Sequence, residues 1–280
     1  MPFQKINGID LYYERHGDSG DPLVLVHGWT GDITDWRHQI AEFSPTHRVL
    51  VLDNRGHGRS EAPSDRSIYT VDRMVEDTEA LIAHAGFDRY HLVGHSMGGA
   101  VAQEIALRSP QRLLSLTLHN TTYSFALLSA LESHPNIRAW TEYRHRLAET
   151  QGMAAVARLV NPFPPPPNQD PARQAEKNER FAAMSADVFL GAWDGLVGWP
   201  GTADRAAAIR TPTLVLYSDL DAPLIQEGSR KLAQLIANAS VAVIPQTAHQ
   251  PQEDRPELYN AALRPFLEAH ASAPVEQAAS

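Results

Sequence analysis

The chain has 280 residues, of which 43% are hydrophobic, and its formal net charge is −9. This length and composition fit a globular protein built as one large domain with room for an insertion. The acidic balance argues against nucleic acid or an anionic membrane as a partner, and the absence of cysteine excludes disulfides, thiolate metal sites and a cysteine nucleophile. The N-terminus lacks a basic-then-apolar signal pattern and no apolar run is long enough to cross a membrane, so a cytoplasmic location is expected.

The first fifty residues predict a hairpin followed by two buried strands with a helix between them. Asn7-Gly8 lies between two alternating segments and is a strong hairpin signal. The apolar runs from Leu23 to Val26 and from Arg48 to Leu52 are typical of strands that are covered on both faces. The segment from Ile33 to Phe43 is predicted to be helical.

The central motif is Gly94-His95-Ser96-Met97-Gly98, which has the pattern G-x-S-x-G. The residues before it are those of a short buried strand, and apolar residues at helical spacing follow it. In this context the pattern predicts a nucleophile elbow, a sharp turn that exposes the serine hydroxyl. The glycines remove Cβ atoms that would clash, and the N-terminus of the following helix can stabilise negative charge at the serine.

The alternation of strands and helices stops near Asn120 and resumes at Thr213 to Tyr217. Residues 121–205 contain helical segments and no convincing strand, and the run from Asn161 to Pro167 is predicted to be extended polyproline. An insertion at this point lies above the C-terminal ends of the strands, where ligands bind in parallel sheets. We therefore predict an α/β core of residues 1–120 and 206–270, a helical cap of residues 121–205 and a disordered tail of residues 271–280.

A serine nucleophile needs a base within hydrogen-bond reach and an acid that orients this base. In an elbow-type sheet the acid follows a later strand, and the histidine follows the last strand. The sequence supplies Asp219 and Asp221 after one strand and His249 after the last one. His249 is therefore the predicted base, and either aspartate is placed to act as the acid.

Four stretches of the sequence together resemble the α/β-hydrolase family with a helical cap, and the likeness covers nearly all of the chain. Residues His27–Trp29 match the family's H-G-x oxyanion loop, and residues Asp53–Ser60 resemble its D-x-R-G-x-G-x-S loop. Residues Gly94–Gly99 match the nucleophile motif. The C-terminal histidine motif is represented by His249, Glu253, Pro256 and Glu257. The last stretch has one residue more between Glu253 and Pro256 than the family pattern. The resemblance implies a mostly parallel eight-stranded sheet flanked by helices, an inserted helical cap, and catalysis without a metal or a cofactor.

The family's spacing also implies which residues form the site. It selects Asp221 as the acid, with Asp219 as the alternative. Some relatives carry the acid after the strand that follows the elbow, but residues 119–122 offer no carboxylate. The implied oxyanion hole consists of the backbone N–H groups of Trp29 and Met97.

The pocket is predicted less sharply than the catalytic residues. Aromatic and aliphatic side chains of the cap are candidates for substrate contact, although most of them also fit an internal cap core. The candidates are Trp29, Leu127, Phe189 and Trp193. His95 adjoins the nucleophile, but chain alternation sends its side chain elsewhere, so we predict a structural role for it.

A serine at the elbow implies acyl transfer and argues against the aspartate-nucleophile epoxide hydrolases and dehalogenases.

The leading hypothesis is a hydrolase of small or medium, largely apolar carboxylic esters, acting through Ser96, His249 and Asp221. A lactone or enol-lactone hydrolase is the second hypothesis. A carbon–carbon bond hydrolase of ring-cleavage products is the third, because such enzymes typically have asparagine where His95 stands. A ligand-binding receptor on the same scaffold is the alternative that is not an enzyme. The oligomeric state does not follow from the sequence.

Overall fold

The computed structural model describes residues 2–126, 135–159 and 170–272. Eight strands form one sheet: Phe3–Ile6 (β1), Ile9–His16 (β2), Pro22–Val26 (β3), Arg48–Leu52 (β4), Tyr90–His95 (β5), Leu113–His119 (β6), Thr213–Ser218 (β7) and Ala239–Ile244 (β8). Their order across the sheet is β1-β2-β4-β3-β5-β6-β7-β8. The pairs β1–β2 and β2–β4 are antiparallel and the other neighbouring pairs are parallel. The mostly parallel eight-stranded sheet implied by the family resemblance is confirmed.

The described helices are Arg37–Phe43 (α1), Val71–His84 (α2), Met97–Arg108 (α3), Pro135–Gln151 (α4), Met153–Ala157 (α5), Pro171–Ala183 (α6), Ala186–Val197 (α7), Pro223–Leu235 (α8), Pro251–Asp254 (α9) and Pro256–Ala269 (α10). None of these helices is long and apolar enough to cross a membrane. Short 3₁₀ turns connect several of them.

The sheet is buried on both faces because its central strands alternate apolar side chains between two clusters. Val24 and Val26 of β3 pack in the cluster that includes side chains of α2, α3 and α8. Leu23 and Leu25 point the other way, into a cluster with side chains of α1 and α10. All four side chains are fully buried, and each contributes about 1.5–3 kcal/mol through removal from water. The sheet is therefore the rigid base on which the loops at its carboxyl edge are placed.

The segment from Ile33 to Phe43 is helical as predicted, but it consists of two different kinds of helix. Residues Ile33–Trp36 form a 3₁₀ turn, and the α-helix starts only at Arg37. Two carboxylates hold the turn, since Asp32 accepts the N–H of Thr34 and Asp53 accepts the N–H of Ile33, each at 2.8 Å. The second bond comes from a strand-end loop far along the chain, so hydrophobic spacing alone does not reveal it.

The described residues of the insertion, namely 121–126, 135–159 and 170–205, contain helices and no strand. Helices α4 to α7 lie here, and side chains from α4, α5 and α7 form a third apolar cluster. The predicted polyproline run, the pocket candidate Leu127 and all but the first two residues of the predicted tail lie outside the described residues.

Candidate active site

Ser96 lies at a sharp turn between β5 and α3. Its backbone has φ 53° and ψ −114°, a region that residues with a Cβ rarely adopt. Two hydrogen bonds from the end of β6 hold this turn: the Ser96 N–H donates to the His119 carbonyl at 3.0 Å, and Thr121 Oγ1 donates to the Ser96 carbonyl at 2.8 Å. The strained strand–turn–helix geometry that the motif predicts is present.

The loop after β3 runs against the serine. A Cβ on Gly28 would lie only 3.0 Å from Ser96 Cβ and 3.0 Å from His95 Nδ1, so this position has no room for a side chain. Trp29 directly follows Gly28, and Met97 directly follows Ser96 at the start of α3. The backbones of both predicted oxyanion donors are therefore in the immediate surroundings of the nucleophile.

A buried histidine fixes the carbonyl of this loop. His27 Nε2 accepts the backbone N–H of Asn54 at 2.9 Å, so the proton of the neutral ring is on Nδ1, which donates to the Gly28 carbonyl at 2.8 Å. Burial, together with the nearby His57, lowers the pKa of His27 to about 3. The ring therefore stays neutral over the working pH range, and the loop is held in one conformation.

The structure brings Asp221 and His249 together. The distance from Asp221 Oδ2 to His249 Nδ1 is 2.8 Å, and the Asp221 side chain is buried. Asp219 is exposed, and its Oδ1 instead accepts the backbone N–H of Gln246 at 2.7 Å. Of the two aspartates that the sequence offers, Asp221 is thus the one that faces the histidine.

Asn120 joins this pair from the end of β6, and the sequence analysis gave it no role beyond the lack of a carboxylate there. Its Nδ2 lies 2.6 Å from Asp221 Oδ2, 3.0 Å from Ser218 Oγ and 3.2 Å from the Ala248 carbonyl. It therefore contacts both the acid and the backbone just before His249. Its place at the carboxyl end of a strand between β5 and β7 was the signal that could have revealed it.

His249 has a raised pKa. Burial alone would lower this pKa. The charge of the Asp221 carboxylate and its hydrogen bond together outweigh burial, so the pKa of His249 lies above the usual 6.5. With Nδ1 bound to the carboxylate, Nε2 is the nitrogen left to exchange a proton. The arrangement suits a base that becomes an imidazolium during reaction.

His95 connects the nucleophile turn to the histidine loop. Its Nε2 donates to the backbone carbonyl of His249 at 2.9 Å, and the two rings lie 4.9 Å apart. Burial and the neighbouring His119 and His249 hold the pKa of His95 well below 6.5, so it is neutral. In the described part of the chain no hydrogen bond joins the Ser96 hydroxyl to His249 itself. Such bonds are often long in free enzymes and shorten when substrate binds.

Three of the predicted pocket residues meet at the junction of the loop after β3 and α7. The Trp29 ring stacks on Phe189 at 4.7 Å between centroids and lies 5.0 Å from Trp193. Trp29 Nε1 also donates to the Phe189 carbonyl at 3.2 Å. Phe189 is fully buried, so it acts by packing, whereas Trp29 and Trp193 keep some exposed surface.

Ion pairs join the cap helix α6 to the loops around the site. Arg173, Lys177 and Arg180 follow one another at helical spacing on α6. Arg180 binds Asp32 at 2.5 Å and Asp35 at 2.9 Å, in the turn that follows the Gly28 loop. Burial raises the pKa of Asp35 to about 6, although the charge of Arg180 opposes this.

The same helix contacts the loop that follows His249. Arg173 binds Glu253 at 2.7 Å and Asp35 at 3.3 Å, and Lys177 also pairs with Glu253. Arg173, Lys177 and Arg180 with Asp32, Asp35 and Glu253 are called the cap latch below. The sequence analysis did not predict it, because its partners are more than 70 residues apart along the chain.

Comparison with known proteins identifies the family to which the fold belongs. The family described as the alpha/beta hydrolase fold matches residues 21–256. A protein of Azorhizobium caulinodans that is assigned as the carbamate hydrolase RutD is 31% identical, over 95% of this chain and 98% of its own length. Epoxide hydrolase 3 of Xenopus tropicalis is 28% identical, over 94% of this chain and 76% of its own.

Among solved structures, the enol-lactonase from Burkholderia xenovorans LB400 superposes with a TM-score of 0.83 at 26% identity, and the match covers 95% of this chain and all of that one. The family match extends over most of the chain, and both the elbow and the sheet order accord with it. The chain belongs to the α/β-hydrolase fold family and is a hydrolase of that fold.

Proposed function

We propose that the chain is a serine hydrolase that cleaves carboxylic esters of small to medium, largely apolar substrates. The observation that carries this proposal is the 2.8 Å contact between Asp221 and His249, on a loop whose backbone is bound to the residue before Ser96. A buried carboxylate that orients a histidine beside an elbow serine is the arrangement that activates a hydroxyl for attack.

In the proposed reaction Ser96 Oγ attacks the ester carbonyl while His249 Nε2 takes the hydroxyl proton. Asp221 stabilises the resulting imidazolium, and the N–H groups of Trp29 and Met97 hold the negative oxygen of the tetrahedral intermediate. The intermediate collapses, and the alcohol leaves with the proton from His249. Water, deprotonated by the same histidine, then attacks the acyl-enzyme and releases the acid and free Ser96.

The other chemistries found among the relatives lead to different expectations. An epoxide hydrolase of this fold would need a carboxylate at the elbow, where this chain has Ser96. A carbamate also presents a carbonyl to a serine, but its nitrogen donates electrons to that carbonyl and makes it less electrophilic than the carbonyl of an ester. Carbamates therefore belong in the test panel as slower substrates.

Lactone hydrolysis is the second candidate function. It uses the same attack on a carbonyl, but the leaving alcohol stays tethered to the acyl group. The full-length likeness to an enol-lactonase favours it over carbon–carbon bond cleavage, for which His95 replaces the typical asparagine. The two candidates share every catalytic residue and differ only in the shape of the pocket.

A labelling experiment and a substrate panel test the proposal. We expect a fluorophosphonate to modify Ser96, and short nitrophenyl esters to give a burst of nitrophenol followed by steady turnover. A panel of esters, lactones and carbamates, compared by kcat/KM, then ranks the candidate functions. Absence of labelling at Ser96 would exclude a serine hydrolase. Labelling with a burst but without repeated turnover would instead indicate a receptor on this scaffold.

A further inference from the structure

Arg144 on helix α4 is a cation without a counter-ion among the residues that the structure describes. Its side chain is only partly exposed, and within the described residues it makes no hydrogen bond and no ion pair. Every other described arginine that is not exposed binds a carboxylate or a backbone carbonyl. Arg146, two residues further on the same helix, is exposed, so water can solvate its charge.

The surroundings of Arg144 are aromatic. Its guanidinium lies over the ring of Phe189, with the Cζ atom 5.5 Å from the ring centroid. Phe189 in turn stacks on Trp29 of the loop that carries the proposed oxyanion donor. Burial lowers the pKa of Arg144, and no nearby carboxylate acts to raise it. One ring therefore separates this cation from the wall of the proposed site.

A desolvated charge without a counter-ion is costly, and the contact with one ring face only partly offsets that cost. The other described arginines that are not exposed are paired, so the exception at Arg144 calls for an anion that the described residues do not supply. A guanidinium presents a planar fork of donors that fits a carboxylate at two points. One cation balances the single charge of a carboxylate, whereas a phosphate dianion would need a second one.

We propose that Arg144 recognises a carboxylate on the substrate, at the end remote from the scissile ester. This inference rests on the proposed function and deepens it. The substrate class becomes an ester or lactone with an apolar linker that packs against Trp29 and Trp193, and with a terminal carboxylate that reaches α4. Arg144 is then a specificity-determining residue, with no part in the bond-making steps.

The test compares two series of nitrophenyl esters. The acidic series consists of the mono-nitrophenyl esters of succinate, glutarate and adipate, which end in a carboxylate. The neutral series consists of nitrophenyl esters with acyl chains of the same lengths that end in a methyl group. We expect the wild-type enzyme to prefer the acidic substrate of one length over its neutral match, and Arg144→Met to lower kcat/KM for that substrate by about 10- to 100-fold, the range for a charge-assisted hydrogen bond. The neutral series is the reference, so the ratio of kcat/KM for the acidic and the neutral substrate of each length isolates the loss of the carboxylate contact in Arg144→Met.

Two further variants serve as controls. Arg146→Met removes an equal charge from the same helix and should leave both series unchanged. Arg144→Lys keeps the charge but loses the planar fork, so its preference for the acidic substrate should be intermediate. No preference in the wild type at any chain length, or a preference that survives in Arg144→Met, would overturn the inference.

Failure of the inference and failure of the proposed function give different results. If the neutral esters are turned over and Ser96 is labelled, the proposed function stands whatever Arg144 does. If no ester is turned over, calorimetric titration with glutarate still tests the anion site: wild type and Arg146→Met should bind it, and Arg144→Met should not. Equal binding, or no binding to any of the three, would exclude the site.

Discussion

The core sheet and helix α6 are held in place by different forces. In the core, apolar clusters cover both faces of the sheet, and the reactive loops are fixed by short backbone hydrogen bonds around Ser96 and Gly28. The cap helix α6 is joined to those loops by the cap latch, with ion pairs that are largely removed from water. The core therefore sets the reactive geometry, ion pairs fix the position of α6, and α7 packs against the main core through apolar side chains.

The largest expected effect comes from the core. Ser96→Ala should lower kcat for a nitrophenyl ester by about 10⁶-fold, as found when a triad loses its nucleophile. The substitution removes one oxygen, so the melting temperature should not fall. Full activity in this variant would place the nucleophile elsewhere.

The two aspartates after β7 provide the next test. Asp221→Asn should lower kcat by about 10⁴-fold, because the neutral amide cannot stabilise the imidazolium and its NH2 group can turn to His249 Nδ1 and favour the wrong tautomer. Asp219→Asn keeps an exposed side chain that can still accept the Gln246 N–H, and it should remain within about twofold of wild type. The reverse ranking would show that the histidine turns towards Asp219 in the working enzyme.

The cap latch can be compared with a surface ion pair of the core. Arg173→Met leaves Asp35 and Glu253 enclosed with one cation fewer, and it should lower the free energy of unfolding by about 3–5 kcal/mol. Arg73→Met breaks the exposed pair with Glu76 on α2, and its cost should be about 0.5 kcal/mol or less. Urea unfolding of both variants measures the difference. Equal costs would mean that the cap latch contributes no more than a surface pair.

The smallest effect is a displacement of the pH profile. His249 must be neutral to accept the serine proton, so kcat/KM should fall on the acid side with a midpoint above pH 6.5, in the direction of its raised pKa. In Asp221→Asn the raising charge is gone and burial remains, so the midpoint of the residual activity should move to lower pH. A midpoint that does not move would mean that another group controls this limb.

The sequence predicted those parts of the molecule that depend on local patterns. Continuous apolar runs predicted the buried strands, and the G-x-S-x-G pattern between a strand and a helix predicted the turn at Ser96. The family's spacing favoured Asp221, and the structure places that carboxylate against His249. These features depend on residues close together in the chain, or on a fixed order of strands.

Features that depend on long-range pairing did not follow from the sequence. Asn120 contacts Asp221 across 101 positions of the chain. Its place at the carboxyl end of a strand indicates the right edge of the sheet, but not this partner. From the sequence, Arg173 is expected on the solvated face of a polar helix. Its contact with Glu253 forms only in the folded protein. The 3₁₀ turn at Ile33 depends on Asp53, 20 positions away. In each case the position of a polar group is determined by a hydrogen-bond partner that only the tertiary structure brings close.

The position of α6 has a practical consequence for redesign. Arg173 and Asp35 keep 8% and 1% of their side-chain surface accessible, so dissolved salt screens their attraction poorly. The ion pairs of α6 with the loops of the core therefore persist under ordinary saline conditions. Libraries that aim to broaden the substrates accepted by the enzyme should vary the exposed positions of α4 and leave α6 untouched, because α7 packs in the main core through Val188, Ala192 and Leu196.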